Sequence, residues 1–521
     1  MVGMIRRRLS RCRNLQYLKR IHGQMIVNGL NSDLPALREL LVSLTSIHGS
    51  LDYAHKLFGQ MPEQDLFMWN TMLRGAAHSS NPADAISLFT EMEGSHVRPD
   101  SFTFVFVLKA CTKLNSAAAG AQFHGMVGKL GLQTDVYVRN ALINMHANCG
   151  DLGIASDLFD ESARKDVVAR TAMIAGYARR GQLSVARELF DKTGAKDLVS
   201  WNTMITGYAK MGEMKAAREL FDQVLEKDIV SWNAMIAGYA SVGSHGQAMQ
   251  VYEEMRRAGM RPDEVTMVSL LSSCADSGAL NTGEWIHQSL VKSKCSDSGL
   301  SLLLGNALVD MYAKCGSMER AIQVFRGMGE KDLWTWNSII GGLSLNGLSQ
   351  EAVQMFREMA RVGVKPNDIT FLSVLSACSH GGMIEEGRRC FTTMIDEYGI
   401  KPEIKHYGCM VDMLGRAGLV KEAFELVSCM ETEPNSVVWK SLLAASKVHG
   451  NVELGEKASE QLLKISRDGS TAYVLLSNMY SSVGEWHQSE NVRRLMDADG
   501  VKKEVGYTLF ESQMIQSFVE V

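Results

Sequence analysis

The amino-acid sequence repeats itself with a period of about 31 to 36 residues. Residues 198–222 read LVSWNTMITGYAKMGEMKAARELFD, and residues 229–253 read IVSWNAMIAGYASVGSHGQAMQVYE. A unit of this length cannot bury its apolar side chains alone, so repeated units must stack and share one continuous core. Stacking also explains how 521 residues form one architecture, because a single compact core stops growing well below this length.

Twelve units lie between Leu34 and Asn435. The clearest units share a motif like W-N-x-M-I-x-G, and a second class follows it less closely. A third class has an apolar first half that ends in cysteine, as in FTFVFVLKAC, VTMVSLLSSC and ITFLSVLSAC. The clearest units begin at Leu66, Leu198, Ile229 and Leu333, the weaker ones at Leu34, Val136, Val167, Leu302 and Ile404, and the third class at Ser101, Glu264 and Asp368.

Each unit reads as two short amphipathic helices. In residues 198–228 the first pattern ends at Gly212 and a second one follows. The small residues Gly207 and Ala217 would let helices approach closely, and Asp228 precedes the next unit, where an acid suits a helix N-terminus. We therefore predict an all-α fold, a right-handed superhelical α-solenoid of helix-turn-helix repeats with a long concave groove. The first apolar face is Trp201, Met204, Ile205 and Tyr208, and the second is Ala216, Leu220 and Phe221.

The charge distribution separates the first 33 residues from the rest. The net charge is −4, which argues against a general polyanion binder, because nonspecific affinity comes from neutralised phosphates. An Arg-rich, acid-free start predicts an organellar transit peptide in residues 1–33, together with a partial first repeat; a basic first helix that stays in place is the alternative. Few Ser and Thr favour the mitochondrion over the chloroplast. The basic residues before the first acid, Asp33, are Arg6, Arg7, Arg8, Arg11, Arg13, Lys19 and Arg20.

The sequence carries no motif for catalysis, a metal or a cofactor. The ten cysteines form no C-x-x-C pair and none of the 13 histidines has Glu two residues on; P-loop, nucleophile-elbow and H-E-x-x-H motifs are also missing. Cysteines that recur at one repeat position predict small buried side chains and a reducing compartment. The recurring His22, His124 and His287 are predicted to be packing residues. No apolar run approaches the ~18 residues of a membrane span, so we predict no membrane partner. Because the catalytic and cofactor motifs are missing, we also predict no enzyme and no small-molecule substrate.

The motif WN-MI-GYA--G---A--LF, with unit endings such as GVKPN and GMRPD, resembles the repeats of plant pentatricopeptide repeat proteins of the PLS class. The resemblance covers residues 34–511. In that family each repeat binds one base of single-stranded RNA, chosen largely by the fifth residue of the first helix and the last residue of the repeat. An Asn carboxamide offers a donor and an acceptor to a base edge, whereas a carboxylate offers acceptors only, so two such groups can sort bases without a basic surface.

The resemblance implies a set of base-reading pairs and the RNA core U-N-U-G-U-U-N-U-Y. Arg38 in the first repeat, and Gly408 with Asn435 in the last, match no residue pair to which the family resemblance assigns a base. Taken alone, Asn and Asp at these places are also ordinary helix caps, which is the alternative interpretation. The pairs expected to read U are Asn70 with Asp100, Asn140 with Asp166, Asn202 with Asp228, Asn233 with Asp263 and Asn306 with Asp332; Thr171 with Asp197 would read G, Asn337 with Asn367 a pyrimidine, and Val105, Val268 and Leu372 no base.

Residues 436–507 resemble the E-type extension of two degenerate repeats that follows the repeats of organellar RNA-editing factors, with Val505 where that family has proline. Residues 508–521 resemble the truncated start of the following segment. The zinc deaminase of some editing factors needs H-x-E and P-C-x-x-C, which are missing here. The resemblance implies a site-recognition factor for C-to-U editing that recruits a DYW-type deaminase in trans, with multiple organellar RNA editing factors. The alternatives are an RNA-binding factor for splicing, stability or translation, and a protein-binding helical scaffold.

Overall fold

The computed structural model describes residues 14–30, 33–47, 50–61, 63–161, 166–194, 196–293, 300–465 and 470–501. All regular structure in these ranges is helical, which confirms the predicted all-α class. The described helices are short, from 9 to 14 residues, and none of them is both long and apolar enough to cross a membrane. The predicted transit segment up to residue 13 and the predicted features after residue 501 lie outside the described residues.

The chain divides into two compact units, residues 1–262 and 263–521. A short 3-10 turn, Leu132–Thr134, interrupts the first. The helices of the first unit are Leu15–Val27, Leu34–Thr45, Leu51–Gly59, Leu66–His78, Ala83–Gly94, Ser101–Lys113, Ala117–Lys129, Val136–Cys149, Leu152–Asp160, Val167–Arg179, Leu183–Asp191, Leu198–Lys210, Met214–Gln223, Ile229–Ser241 and His245–Arg257. Those of the second are Glu264–Ser277, Leu280–Ser293, Leu302–Lys314, Met318–Gly327, Leu333–Leu345, Ser349–Arg361, Asp368–Gly381, Ile384–Asp396, Ile404–Arg416, Val420–Ser428, Ser436–Val448, Val452–Ile465, Ser470–Ser482 and Trp486–Ala498.

A helix begins at each of the twelve residues where the sequence motif opens, and we call these twelve the first helices. Each is followed by a second helix, so every repeat is a helical hairpin. Within each unit successive hairpins stack, with first helix against first helix, which is the architecture of an α-solenoid.

Capping residues explain where the first helices begin and end. The side chain of Asp228 accepts the Ser231 N–H, which satisfies a backbone donor that the helix cannot use itself. At the other end of the preceding first helix, Gly212 has φ of 77°, a left-handed conformation that glycine adopts without steric cost. The Glu213 N–H there donates to the Tyr208 carbonyl at 2.9 Å, which closes the helix end. The predicted break at Gly212 is thus a C-terminal cap.

Small residues bring neighbouring first helices into contact. A Cβ atom built on Gly238 would lie 2.7 Å from the Ala209 Cβ, and one on Gly207 would lie 3.1 Å from the Ala178 Cβ. Such distances are below ordinary van der Waals contact, so the expected role of Gly207 in close approach is confirmed. In each case the tenth residue of a first helix faces the twelfth residue of the preceding one. The same arrangement pairs Gly75 with Thr45, Gly176 with Ala147 and Gly342 with Ala313.

Aromatic pairs fill the space between a second helix and the next first helix. The Phe221 and Trp232 rings meet edge to face, with centroids 4.8 Å apart. This geometry favours the ring quadrupoles and adds to the energy of burial. The pairs Phe58 with Trp69, Phe190 with Trp201 and Phe325 with Trp336 repeat it. Of the recurring cysteines, Cys111, Cys274 and Cys378 are buried, as predicted, whereas Cys149 and Cys315 are only partly buried.

The recurring histidines pack against neighbouring helices, as predicted: His124 and His287 face the next first helix, and His22 faces Tyr53 of the second helix Leu51–Gly59. The His22 and His287 rings lie within hydrogen-bond distance of tyrosine hydroxyls, at 2.8 and 2.9 Å. His124 Nδ1 lies 3.0 Å from His146 Nε2. Burial, reinforced by the neighbouring His124, lowers the pKa of His146 to about 4, because a buried imidazolium loses its hydration.

We expect Gly238→Val to destabilise the fold by about 1–3 kcal/mol, because its side chain must displace Ala209 and Met214. The urea midpoint of unfolding measures this change. The control is Gly246→Ala, at a helical glycine whose added Cβ meets nothing; it should be neutral or stabilising by up to about 1 kcal/mol. Equal midpoints for the two variants would contradict the close-contact account.

Acidification should destabilise the protein through His146. Below about pH 6.5 the unfolded chain takes up a proton at this residue, whereas the folded chain does not until about pH 4. Stability therefore falls as the pH drops through this window, by about 1–2 kcal/mol at pH 5. His146→Gln should flatten the decline of the thermal midpoint between pH 7.5 and 5. Replacement of the exposed His487 by Gln is the control and should leave the decline unchanged.

Candidate nucleic-acid interface

The fifth residue of one first helix reaches the residue that caps the next first helix. Asn202 Nδ2 donates to Asp228 Oδ1 at 3.0 Å. The Ser231 N–H donates to the same oxygen at 2.9 Å, and the Ser231 hydroxyl donates to Asn202 Oδ1 at 2.6 Å. The amide, the acid and the hydroxyl thus form one connected group.

Three further repeats reproduce this group, two of them with an acid as the cap and one with Asn367 in its place. Their amide-to-cap distances are 3.0 Å for Asn70 Nδ2 to Asp100 Oδ1, 3.2 Å for Asn306 Nδ2 to Asp332 Oδ1 and 3.2 Å for Asn337 Nδ2 to Asn367 Oδ1. In each repeat a threonine, the third residue of the capped helix, approaches the Oδ1 of the amide within 2.6 to 2.7 Å. The threonines are Thr103, Thr335 and Thr370.

The pair Asn140 and Asp166 is connected differently. Asn140 Nδ2 donates to Asp166 Oδ2 at 2.7 Å, and the Ala169 N–H donates to Oδ1 at 2.7 Å. Ala169 occupies the place of the hydroxyl residue, so no side chain there can reach the Oδ1 of the amide. Both carboxylate oxygens of this repeat therefore accept a hydrogen bond from within the protein.

The remaining predicted residues divide into two cases. The Thr171 hydroxyl lies 2.9 Å from Ser200 Oγ, and the Ser200 hydroxyl in turn donates to Asp197. Thr171 thus reaches Asp197 through Ser200 rather than directly. Asn233 belongs to the first unit, whereas Asp263 caps Glu264–Ser277 in the second, so their pairing stays a prediction.

Arg38, which matches no assigned pair in the sequence, occupies the same register position in its repeat. Its guanidinium forms an ion pair with Asp65, the cap of Leu66–His78. The guanidinium carbon also lies 5.9 Å from the centre of the Phe67 ring, which is within reach of a cation–π interaction. A cation therefore takes the amide position in this first repeat, and the cap remains an acid.

The capping carboxylates can hold a helix N-terminus and still keep a hydrogen-bond acceptor for a ligand. Burial alone would raise the pKa of Asp228, but the Ser231 N–H, the Asn202 amide and the Ser231 hydroxyl donate to its carboxylate and hold the pKa below 3.8. Hydrogen bonds from Thr335 and Asn306 do the same for Asp332 against the effect of burial. Both carboxylates are therefore charged at neutral pH. One oxygen serves as the cap, and the second oxygen has acceptor capacity left.

Sequence reasoning missed a row of exposed apolar side chains. The second residue of most first helices is hydrophobic although its side chain lies away from the buried face of the helix. The Trp334 side chain, for example, is 69% exposed. The signal was present, since a large apolar residue recurs one place after the start of ten of the twelve first helices, with Pro35 and Lys405 as the exceptions, and again after Ser436. Exposed large hydrophobic residues in a regular row mark a binding surface. The row consists of Phe67, Phe102, Tyr137, Val168, Val199, Val230, Val265, Leu303, Trp334, Ile369 and Val437.

Clefts open between members of this row. One of about 670 Å³ has Asn70, Asp100, Phe67 and Phe102 among its lining residues. A larger one of about 900 Å³ surrounds Gly408 and Asn435, where a glycine takes the amide position. Within the described residues, no group of three or more His, Cys, Asp or Glu side chains is arranged to hold a metal ion.

Stacked helical hairpins with a regular polar and apolar row on their first helices define a helical-repeat α-solenoid protein. The PPR repeat family model matches residues 64–113, 227–276 and 331–380, and PPR repeat models match residues 137–167, 168–194, 199–229, 306–333, 369–398 and 398–431. The E motif model matches residues 449–511. The chain belongs to the plant pentatricopeptide repeat family, in its E subgroup.

Relatives in Arabidopsis thaliana cover nearly the whole chain. Pentatricopeptide repeat-containing protein At5g15300 is 54% identical over 96% of this chain and 92% of its own length. The chloroplastic protein At1g08070 is 41% identical over 98% of this chain and 79% of its own length. The mitochondrial protein At2g22410 is 39% identical over 89% of this chain and 63% of its own length.

Solved structures share the fold. The crystal structure of pentatricopeptide repeat protein PPR10 from maize aligns with a TM-score of 0.60 at 18% identity, over 96% of this chain and 74% of that one. PPR10 in complex with an 18-nucleotide psaJ RNA element aligns with a TM-score of 0.62 at 19% identity, over 90% of this chain and 80% of that one. These matches confirm the α-solenoid of pentatricopeptide repeats.

The contact between Asn306 and Asp332 should appear as a coupling energy. Asp332→Ala should cost about 0.5–2 kcal/mol, because it removes a helix cap. Combined with Asn306→Ala, it should cost less than the sum of the two single changes, by about 0.5–1.5 kcal/mol. Urea unfolding of the two single variants and the double variant measures the coupling. Glu330→Ala, which removes an exposed acid nearby, should add to Asn306→Ala without coupling.

Proposed function

We propose that this protein binds single-stranded RNA with sequence specificity along its first helices, and that it is a site-recognition factor for C-to-U editing of organellar transcripts. The observation that carries the proposal is the contact between a fifth-position Asn amide and the cap of the next first helix, which recurs in one register in five repeats. A polar group that recurs at the spacing of the helical repeats suits a polymer ligand whose own units have a matching spacing.

Each held amide has hydrogen-bonding capacity left for a base. Asn202 uses one N–H on Asp228 and one lone pair on Ser231, so a second N–H and a second lone pair remain. The Watson–Crick edge of uracil offers an N–H donor beside carbonyl acceptors, which is complementary to this combination. This combination is compatible with U, and the family resemblance implies U for the Asn and Asp pairs.

The exposed apolar row supplies the second element that a single-stranded ligand requires. A base placed in the cleft beside Asn70 would lie between Phe67 and Phe102. Stacking of a base on an aromatic side chain contributes about 1–3 kcal/mol and tolerates any base. The row therefore accounts for affinity, and the polar groups account for selection.

The charge of the protein agrees with recognition through base edges. A net charge of −4 gives little nonspecific attraction to phosphates, so the first-helix surface must supply the affinity. In the third class of units Val105, Val268 and Leu372 take the amide position and have no group for a base edge. The expected core is U-N-U-G-U-U-N-U-Y, read with the protein N-terminus toward the RNA 5′ end.

The editing role is supported by the E motif at residues 449–511. Residues 1–521 carry no H-x-E or P-C-x-x-C of a zinc deaminase. In this proposal a DYW-type protein recruited in trans, with multiple organellar RNA editing factors, deaminates the cytidine. Relatives named as chloroplastic and as mitochondrial support an organellar location. The Arg-rich start favours the mitochondrion.

Asn202→Thr should change the preferred base at the fifth letter of the core from U to G, because it reproduces the Thr171 and Asp197 combination. We expect a preference change of about fivefold or more, which corresponds to ~1 kcal/mol for a hydrogen bond. The measurement is binding of the full chain to RNAs that carry each base at that letter.

The control for this change is Asn148→Thr, which removes an amide from a first helix outside the register. It should leave every base preference unchanged. If the unmodified protein shows no preference among the RNAs, the proposal fails and the scaffold alternative is supported.

In a plant line that lacks the protein, we expect one cytidine just 3′ of the bound sequence to remain unconverted. Sequencing of organellar cDNA from the line and its parent measures conversion at every edited site. Normal conversion with altered transcript ends or retained introns would instead assign the protein to stability or splicing. That outcome would contradict the editing role while leaving RNA binding intact.

A further inference from the structure

We propose that the hydroxyl at the third position of each capped first helix is a specificity-determining positioning residue for the preceding repeat. It holds the Asn amide at its oxygen end and, where the cap is Asp, leaves the outer carboxylate oxygen available to a base. This inference rests on the proposed RNA binding and deepens it. Its members are Thr103, Ser231, Thr335 and Thr370.

These hydroxyls are fully buried, at 0% exposure. Each lies between two acceptors and has one proton to give. In every case the amide Oδ1 is the nearer acceptor, as with Thr335 at 2.6 Å from Asn306 and 2.8 Å from Asp332. Donation to the amide therefore fixes its oxygen, while the acid fixes its nitrogen. A flipped amide would place its oxygen against the carboxylate, which is repulsive.

Helix capping alone does not account for the link. Thr103, Thr335 and Thr370 also accept the N-cap backbone N–H, which completes a capping box. The Asp228 cap has no such box, yet the Ser231 hydroxyl still donates to Asn202 at 2.6 Å. The contact with the amide is thus common to all four repeats, whereas the capping box is not.

The repeat with Ala169 shows what changes when the hydroxyl is missing. In the four hydroxyl repeats the amide nitrogen bonds to the cap oxygen that also accepts the backbone N–H, as in Asp228. In the Ala169 repeat it bonds instead to Asp166 Oδ2. The oxygen that is left for a base in the other acid-capped repeats therefore already accepts a hydrogen bond here, which reduces its acceptor capacity. The Asn140 repeat should consequently be the weakest discriminator among the paired Asn and Asp repeats.

A reciprocal pair of substitutions tests this assignment in the full chain. Ser231→Ala should lower the preference for U over C at the fifth letter by about fivefold, the equivalent of one hydrogen bond. Ala169→Ser should raise the same preference at the third letter, which faces Asn140, by a similar factor. Ser231→Thr should preserve the unmodified preference. Binding to RNAs with U or C at the third, fifth and eighth letters is the measurement.

The eighth letter, opposite Asn306, is the internal reference and should not change in any variant. If Ser231→Ala merely weakened the fold, binding to all RNAs would fall together. Ala169→Ser would still test the inference, because it adds a hydroxyl rather than removing one. If the unmodified protein prefers U but neither variant changes the preference at the third or fifth letter, the inference is overturned and the proposed function stands. Absence of any base preference in the unmodified protein overturns both.

Discussion

The contact between a glycine of one first helix and a small residue of the preceding one is the constraint on which the rest depends. Where Gly238 meets Ala209, the two helix backbones approach so closely that no side chain fits between them. This spacing places the fifth residue of one helix within hydrogen-bond distance of the cap of the next, as Asn202 and Asp228 show. The packing that stabilises the stack is thereby also the packing that assembles the polar groups.

The capping acid connects stability with the proposed recognition. The acid accepts a backbone N–H at the start of a helix, as Asp332 does for Leu333–Leu345. This hydrogen bond fixes the position of the carboxylate before any ligand binds. The amide of the preceding repeat is then oriented by this fixed acid and, in four repeats, by a buried hydroxyl. A ligand that meets these groups finds them already ordered, which lowers the entropy that binding must overcome.

Much of the fold could be predicted from the sequence because it depends on local rules. The spacing of apolar residues, the acid before most units and the glycine after most first helices act over a few residues, and a helix begins at all twelve expected places. The glycine contacts were also accessible, since Gly207 stands in a repeated GYA-type motif whose partner recurs in register.

Features that depend on distances between repeats could not be predicted. Nothing in the order of residues shows that Asn140 bonds to Asp166 through Oδ2, or that Thr171 reaches Asp197 through Ser200. The ion pair between Arg38 and Asp65 was likewise hidden, because 27 residues separate them. The exposed apolar row is a different case: Trp334 and its counterparts recur visibly, but exposure is a property of the packed stack.

A crystal structure of the full chain with an RNA that contains U-N-U-G-U-U-N-U-Y tests the central claim most directly. We predict one base per repeat, held between successive residues of the apolar row, with the uracil edge opposite Asn202 hydrogen-bonded to its carboxamide. RNA bound on the second helices, or bases directed away from the amide and acid groups, would contradict the account.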